Sequence, residues 1–167
     1  MSEKDFDLIC IGRSCVDLYS GEFGVPLERA MTFTKSVGGS PMNMAIGTSR
    51  LGLRVGAITG VGQEDNGRYL KWQLSCEGVD VSAVKTDPKR LTAMVLLSIR
   101  GDNDFPLIQY RENCADMGLT AEDIDPDYLA RAGAVLVTGT HLSREGVRSA
   151  TMKVLETAKR LGLKCIL

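Results

Sequence analysis

Four short, nearly continuous apolar runs constrain this 167-residue chain more than any other feature: Phe6 to Gly12, Val55 to Gly62, Ala134 to Gly139 and Leu163 to Leu167. Each is too short for a typical helix and lacks the polar alternation of a half-exposed strand, so each reads as a strand buried on both faces. Helical patterns lie between them. Ser40 can serve as an N-cap with Pro41 as the first helical residue, and Met42, Ala45, Ile46, Ser49 and Leu51 continue that helix to Gly52. Asp65 leads a second helix through Tyr69, Leu70, Trp72 and Leu74 to about Gly78, and Arg144 to Leu161 places Val147, Ala150, Thr151, Val154, Leu155 and Ala158 on one face of a third. Strands alternating with helices imply βαβ units, an α/β fold with a parallel sheet and right-handed crossovers.

Two stretches break that rhythm. Residues 13–37 read as an irregular excursion with short strands. Leu91 to Arg100 and Phe105 to Arg111 are β-rich runs joined by Gly101-Asp102-Asn103-Asp104, a good hairpin connection. Both would form a small second layer, a lid. Val79 to Val84 reads as extended, and Thr120 to Ala132 as one or two short helices with Pro126 in a first turn. A strand begun at Leu163 and left uncovered leads us to expect that the chain is part of a longer protein.

Composition excludes several classes. Hydrophobic residues at 44% and charged residues at 25% match a soluble globular domain, and 20 basic against 21 acidic side chains leave no basic stripe for nucleic acid. No apolar run is long enough to cross a bilayer, so no membrane partner is expected. Met1 to Asp5 leads straight into the first strand without the basic and apolar regions of a secretory signal. Cys10, Cys15, Cys76, Cys114 and Cys165 are odd in number and form no C-x-x-C pair, which predicts free thiols in a reducing, cytoplasmic setting and no metal site.

The residues that can carry chemistry cluster after the strands. Gly38-Gly39-Ser40-Pro41 precedes a helix, where glycines let backbone approach a ligand and helix N–H groups favour oxygen-rich or anionic partners. Asn43, in the first turn, can donate to and accept from a hydroxyl. Asp17 lies just past the first strand, on the side where open parallel sheets bind ligands, and can accept from hydroxyls. Arg13 is either surface charge or a contact for an acidic substrate. Arg111 ends the hairpin, and its guanidinium can grip a carboxylate through two parallel hydrogen bonds. Thr138-Gly139-Thr140 closes a core strand at the same edge, and His141, the single histidine, reads as a loop residue without a catalytic role.

The spacing of Gly38, Gly39, Pro41, Asn43, Ala45, Gly52 and Gly62 resembles the N-terminal signature of the PfkB carbohydrate kinase family, which includes ribokinase. Val61-Gly62-Gln63-Glu64-Asp65-Asn66-Gly67 resembles a turn of the same family, altered in its first acid and mainly structural in our reading. Four segments, at 11–17, 31–41, 110–116 and 137–140, resemble family members that act on 5-dehydro-2-deoxygluconate in inositol catabolism.

The resemblance implies a ribokinase-like three-layer fold with a small β lid, of which residues 1–167 are the N-terminal part, with lid segments near 13–37 and 91–111. It implies ATP with Mg2+ as cofactors and a small sugar acid as substrate. Asp17, Gly38, Gly39 and Asn43 would hold hydroxyls, Arg111 the carboxylate, with Arg13 nearby. It also implies subunits paired through the lid. The family's Asp-Thr-x-Gly-Ala-Gly-Asp run, which carries the catalytic base and an anion hole, does not occur in the chain. No catalytic residue is therefore assigned within it, and the 167 residues alone are expected to be inactive. Kinases for 2-keto-3-deoxygluconate, fructose or ribose, and a non-catalytic sugar-binding module, stay open as alternatives. A nicotinamide dehydrogenase fits poorly, because Gly12-Arg13-Ser14 lacks the further glycines of its first turn.

Overall fold

A computed structural model describes residues 4–167; Met1 to Glu3, part of the segment read as lacking a secretory signal, lie outside the described residues. The core is a parallel sheet of β1 (Phe6–Ile11), β4 (Val55–Gly62), β5 (Val79–Asp80), β6 (Val84–Asp87), β9 (Ala132–Val137) and β10 (Lys164–Ile166). Its order is β10-β9-β1-β4-β5, and β6 pairs further along β4. All eight residues of β4 are buried. The runs that form β1, β4 and β9 thus have the burial that their composition predicts, whereas the run at 163–167 does not: β10 pairs with β9 at the sheet's edge and all three of its residues are exposed.

Alternation along the central strands sends side chains to two cores. Leu8, Cys10, Ala57 and Val61 meet Met42 and Ala45 of helix α1 (Ser40–Arg50) and Leu70 and Leu74 of helix α2 (Asp65–Cys76). Ile9, Ile11, Val135 and Val137 meet Leu129 of the short helix α3 (Pro126–Ala130) and Val147, Ala150 and Val154 of helix α4 (Glu145–Arg160). The α4 stripe falls where its periodicity places it, with Thr157 buried and Leu155 only partly so.

The second layer is a four-stranded sheet of order β3-β2-β7-β8. Its strands are β2 (Cys15–Ser20), β3 (Phe33–Gly38), β7 (Met94–Leu97) and β8 (Leu107–Tyr110). The stretch 13–37 is therefore more regular than its sequence suggests, since β2 and β3 pair antiparallel from Cys15↔Gly38 to Ser20↔Phe33. The loop between them is gathered by Glu22, whose Oε1 accepts from the Thr32 N–H at 3.2 Å and its hydroxyl at 2.9 Å. The 91–111 hairpin is shorter than predicted. Pro106 has no N–H to donate, which interrupts the ladder beyond Leu107. Thr92 instead docks on the core, its hydroxyl accepting from the Gly62 N–H at 2.9 Å and its own N–H donating to Glu64 Oε1 at 3.0 Å. That docking supports the structural reading of the 61–67 turn.

Candidate functional site

The lid meets the core at Gly38-Gly39, and the geometry there is tight. A side-chain carbon on Gly38 would sit 2.1 Å from Asp17 Oδ1, and one on Gly39 would sit 2.3 Å from the Arg13 carbonyl oxygen. Gly39 also has φ of 99°, a conformation that glycine tolerates best. Gly39, not Ser40, is the N-cap of α1, and Ser40 is the first helical residue. The displaced cap has a steric cause, since only a residue without a side chain fits against the Arg13 backbone. Arg13, Asp17, Gly38 and Gly39 thus form one group where β2 and β3 approach α1.

Asp17 lies on β2 of the lid, not in a loop at the end of β1. It is half-buried, and burial pushes its pKa above the usual carboxylate range, opposed by a Cys15 hydrogen bond and by the Arg13 charge. The Cys15 thiol, itself pushed up to about 12 chiefly by burial, donates to Asp17 Oδ1 at 3.2 Å. Arg13 Nη2 lies 3.4 Å from the same sulfur, and Arg13 Nε is buried without a hydrogen-bond partner among the described residues. Arg13 is therefore half-buried in this group, not a freely solvated surface charge. Sequence reasoning missed Cys15 as a contributor. The signal was available, because residues two apart on a strand share a face.

Cross-strand pairing extends that face. Ser36, Asp17, Val95 and Gln109 are register partners across β3, β2, β7 and β8, so their side chains emerge on one side of the lid. Asn43 is exposed in the first turn of α1 and lines a recess of about 280 Å³ with Lys35, Ser36, Val37 and Ile46. Arg111 lines a different cavity, of about 630 Å³, with Gln109, Thr92, Glu64 and Arg90. Its guanidinium is already engaged, with Nε at 3.2 Å and Nη2 at 2.7 Å from Oδ2 of the fully buried Asp116. The structure brings Arg13, Asp17, Gly38 and Gly39 together, sets Asn43 one turn further on, and places Arg111 just past the end of β8, paired with Asp116.

At the carboxyl edge of the core sheet, a side-chain carbon on Gly12 would meet Pro41 at 2.8 Å and Thr138 Oγ1 at 3.5 Å, so β1, β9 and α1 converge there. Thr138 and Thr140 hydroxyls are 3.1 Å apart. His141 ends the short turn after β9 and is fully buried, with Nε2 3.0 Å from the Asp116 carbonyl oxygen. A carbonyl can only accept, so Nε2 carries the proton.

A parallel sheet with helices on both faces, joined to a small β lid through a double-glycine helix entry, defines a ribokinase-like α/β architecture. The chain belongs to the pfkB family of carbohydrate kinases, whose model matches residues 5–167. Its relatives include a 5-dehydro-2-deoxygluconokinase of Geobacillus kaustophilus (strain HTA426), 41% identical over 96% of this chain and 48% of that protein. Another of that name, from Halalkalibacterium halodurans, is 37% identical over 99% of this chain and 50% of its own length. The chain thus spans about half the length of the curated relatives it matches. Among solved structures, a PfkB protein from Polaromonas sp. JS666 superposes with a TM-score of 0.89 at 29% identity, covering 96% of this chain and 54% of that one. A sugar kinase of Pyrococcus horikoshii in complex with ATP superposes with a TM-score of 0.83 at 34% identity, covering 91% and 49%. The ribokinase-like architecture is the expected one.

Proposed function

We propose that these residues form the sugar-side half of an ATP-dependent kinase that phosphorylates 5-dehydro-2-deoxygluconate to its 6-phosphate. The observation that carries the reading is the seating of the Asp17 carboxylate in the notch left by Gly38, beside the start of α1. A carboxylate held there can accept from sugar hydroxyls, while Gly39 and Asn43 offer backbone and amide groups on the helix side. The two 5-dehydro-2-deoxygluconokinases at 41% and 37% identity support the choice of acceptor.

In this reading residues 1–167 are the N-terminal part of one kinase domain, and 13–37 and 91–111 form its lid. The C6 hydroxyl oxygen bonds to the γ-phosphorus, the bond to the bridging oxygen breaks, ADP leaves, and the hydroxyl proton passes to a base. ATP supplies the phosphoryl group and Mg2+ neutralises its charge. The chain's own residues orient the acceptor. Because the Gly-Ala-Gly-Asp run is absent from these 167 residues, the base and anion hole fall to the longer protein. We extend the reading to a cytoplasmic enzyme whose subunits pair through the lid. There Leu107, Ile108 and Tyr110 are 52%, 47% and 52% exposed along β8.

The test is ADP release with ATP and Mg2+, offering 5-dehydro-2-deoxygluconate, 2-keto-3-deoxygluconate, fructose and ribose in parallel. The 167-residue chain is compared with the product of its complete reading frame. Turnover by the longer protein alone, highest with the first substrate, is expected. Preference for another sugar overturns the acceptor, and silence with every sugar favours a binding module.

A further inference from the structure

The chain buries one full carboxylate at the lid's exit, and its surroundings show what it is for. Asp116 has no exposed surface. Burying a charge is costly unless it is paired, and its partner is Arg111, whose side chain is only 14% exposed. The pairing uses one edge of the guanidinium, Nε and Nη2, against a single carboxylate oxygen. Among the described residues Nη1 makes no hydrogen bond, and Arg111 lines the 630 Å³ cavity under the hairpin.

Asp116 is itself fixed from three sides. The Ala115 N–H donates to the Leu91 carbonyl at 2.8 Å, and His141 donates from Nε2 to the Asp116 carbonyl at 3.0 Å. A side-chain carbon on Gly60, in the core strand β4, would meet Ala115 O at 2.4 Å and Asp116 Cα at 3.2 Å, so this turn lies directly on the core. The anchor is therefore rigid, while the residue it holds ends a lid strand, β8, that is exposed along its length.

We propose that Asp116 is a positioning residue that aims the free edge of Arg111 at the substrate's carboxylate and so sets the preference for sugar acids over neutral sugars. The proposal rests on the sugar-acid reading above. A guanidinium on an exposed strand end would otherwise lose side-chain entropy with each substrate bound. Held on one edge by Asp116, it meets the acid already oriented. Asp116 Oδ1 is buried and makes no hydrogen bond among the described residues, while Oδ2 accepts both of the Arg111 hydrogen bonds.

The test measures KM and kcat for 5-dehydro-2-deoxygluconate and for fructose, with the kinase of the complete reading frame and its Asp116→Asn and Asp116→Glu variants. Misplacing an orienting group by about 1 Å costs up to ~10²-fold. Asp116→Asn is expected to raise KM for the acid by about 10- to 100-fold with kcat within a few fold, and to leave kcat/KM for fructose unchanged. Asp116→Glu keeps the charge but shifts the guanidinium by a methylene, so it should lose acid preference even if the Asn variant fails to fold. Equal losses with acid and neutral sugar, or an unchanged acid preference in either folded variant, would overturn the positioning role while leaving the sugar-acid reading standing. A wild-type enzyme that itself prefers fructose would overturn both.

Discussion

The two sheets of this molecule divide the labour of the site. The centre of the core sheet is buried and apolar: β4 has eight buried residues in succession, and Ile9 and Val135 have no exposed surface. The lid sheet is more open at its edge, where every residue of β8 is exposed, although Cys15, Val16 and Val95 within it are buried. Yet Asp17 and Arg111 belong to the lid, while the core contributes mainly backbone and steric limits through Gly39 and the turn at 115–118. The contrast teaches that rigidity and chemistry are separated here. In the proposed site the core fixes positions, and the exposed-edged sheet presents side chains.

The largest effect tests that division directly. Ile9→Ala should cost about 2–5 kcal/mol, because it removes buried methyl groups at the centre of the sheet and leaves a cavity. Thr34→Ala, at an exposed position of β3, should stay within about 0.5 kcal/mol. Urea unfolding followed by circular dichroism measures both, and similar losses would refute the contrast. The next effect separates stability from activity. Asp17→Asn should lower kcat/KM of the kinase by about 100-fold by removing an acceptor for sugar hydroxyls. The fold should be unharmed or firmer at neutral pH. The sign follows from the raised pKa: the folded state holds the proton more tightly, so stability falls as pH rises through the folded pKa and the ionised group remains a cost above it. A large drop in melting temperature would make Asp17 structural.

The core was readable in the sequence because burial on both faces leaves uninterrupted apolar runs, and the α4 stripe was readable because one-sided burial imposes a 3.6 period. The lid was less so. Short strands were expected within 13–37, but of β3 only Val37 and Gly38 are buried, so Phe33-Thr34-Lys35 carries no hydrophobic alternation to fix the strand's bounds. The glycine pair was legible as a helix entry, but its cap was misplaced by one residue, since the Arg13 carbonyl that demands a bare Gly39 is 26 positions away and no local propensity encodes it. The same holds for His141, buried through a contact with Asp116 that is 25 residues distant. Arg111 could be singled out by type, whereas its partner in the following turn has no periodic signature.

Gly39→Ala probes the seam between the two sheets. The new carbon meets backbone, which cannot swing aside as a side chain can, and the φ of 99° adds strain, so about 1–3 kcal/mol of stability should be lost. Sugar affinity should fall with it, because the Arg13 segment must move. Gly47→Ala, inside α1 where a side-chain carbon would meet nothing within 4 Å, is the control: it should gain up to about 1 kcal/mol of stability from helix propensity and leave sugar affinity unchanged. Calorimetric melting and sugar titration of both variants would sharpen the seam, and equal behaviour of the two would remove it.

The smallest effect lies at the joint, where β6 hands the chain to the lid. Asp87 is buried there, its Oδ1 accepting from the Lys89 and Arg90 N–H groups at 2.8 and 3.0 Å and its Oδ2 pairing with Arg90 Nη1 at 2.9 Å. Burial raises its pKa, but these hydrogen bonds together outweigh burial and hold it at about 2 against an ordinary 3.8. A depressed carboxylate contributes stability that is complete above 3.8 and is lost as pH falls toward 2. Asp87→Asn should therefore cost about 1–2 kcal/mol at neutral pH, the scale of hydrogen bonds to a charged group, and flatten the acid limb of the stability curve between those values. Arg90 also donates from Nε to Asn113 Oδ1 at 3.1 Å, across to the lid's exit, so the loss should loosen both ends of the 91–111 hairpin. Hydrogen exchange should then quicken at β7 and β8 while β1 and β9 stay protected. Uniform quickening across all four strands would mean that core and lid unfold as one unit, and the division between them would be one of surface only.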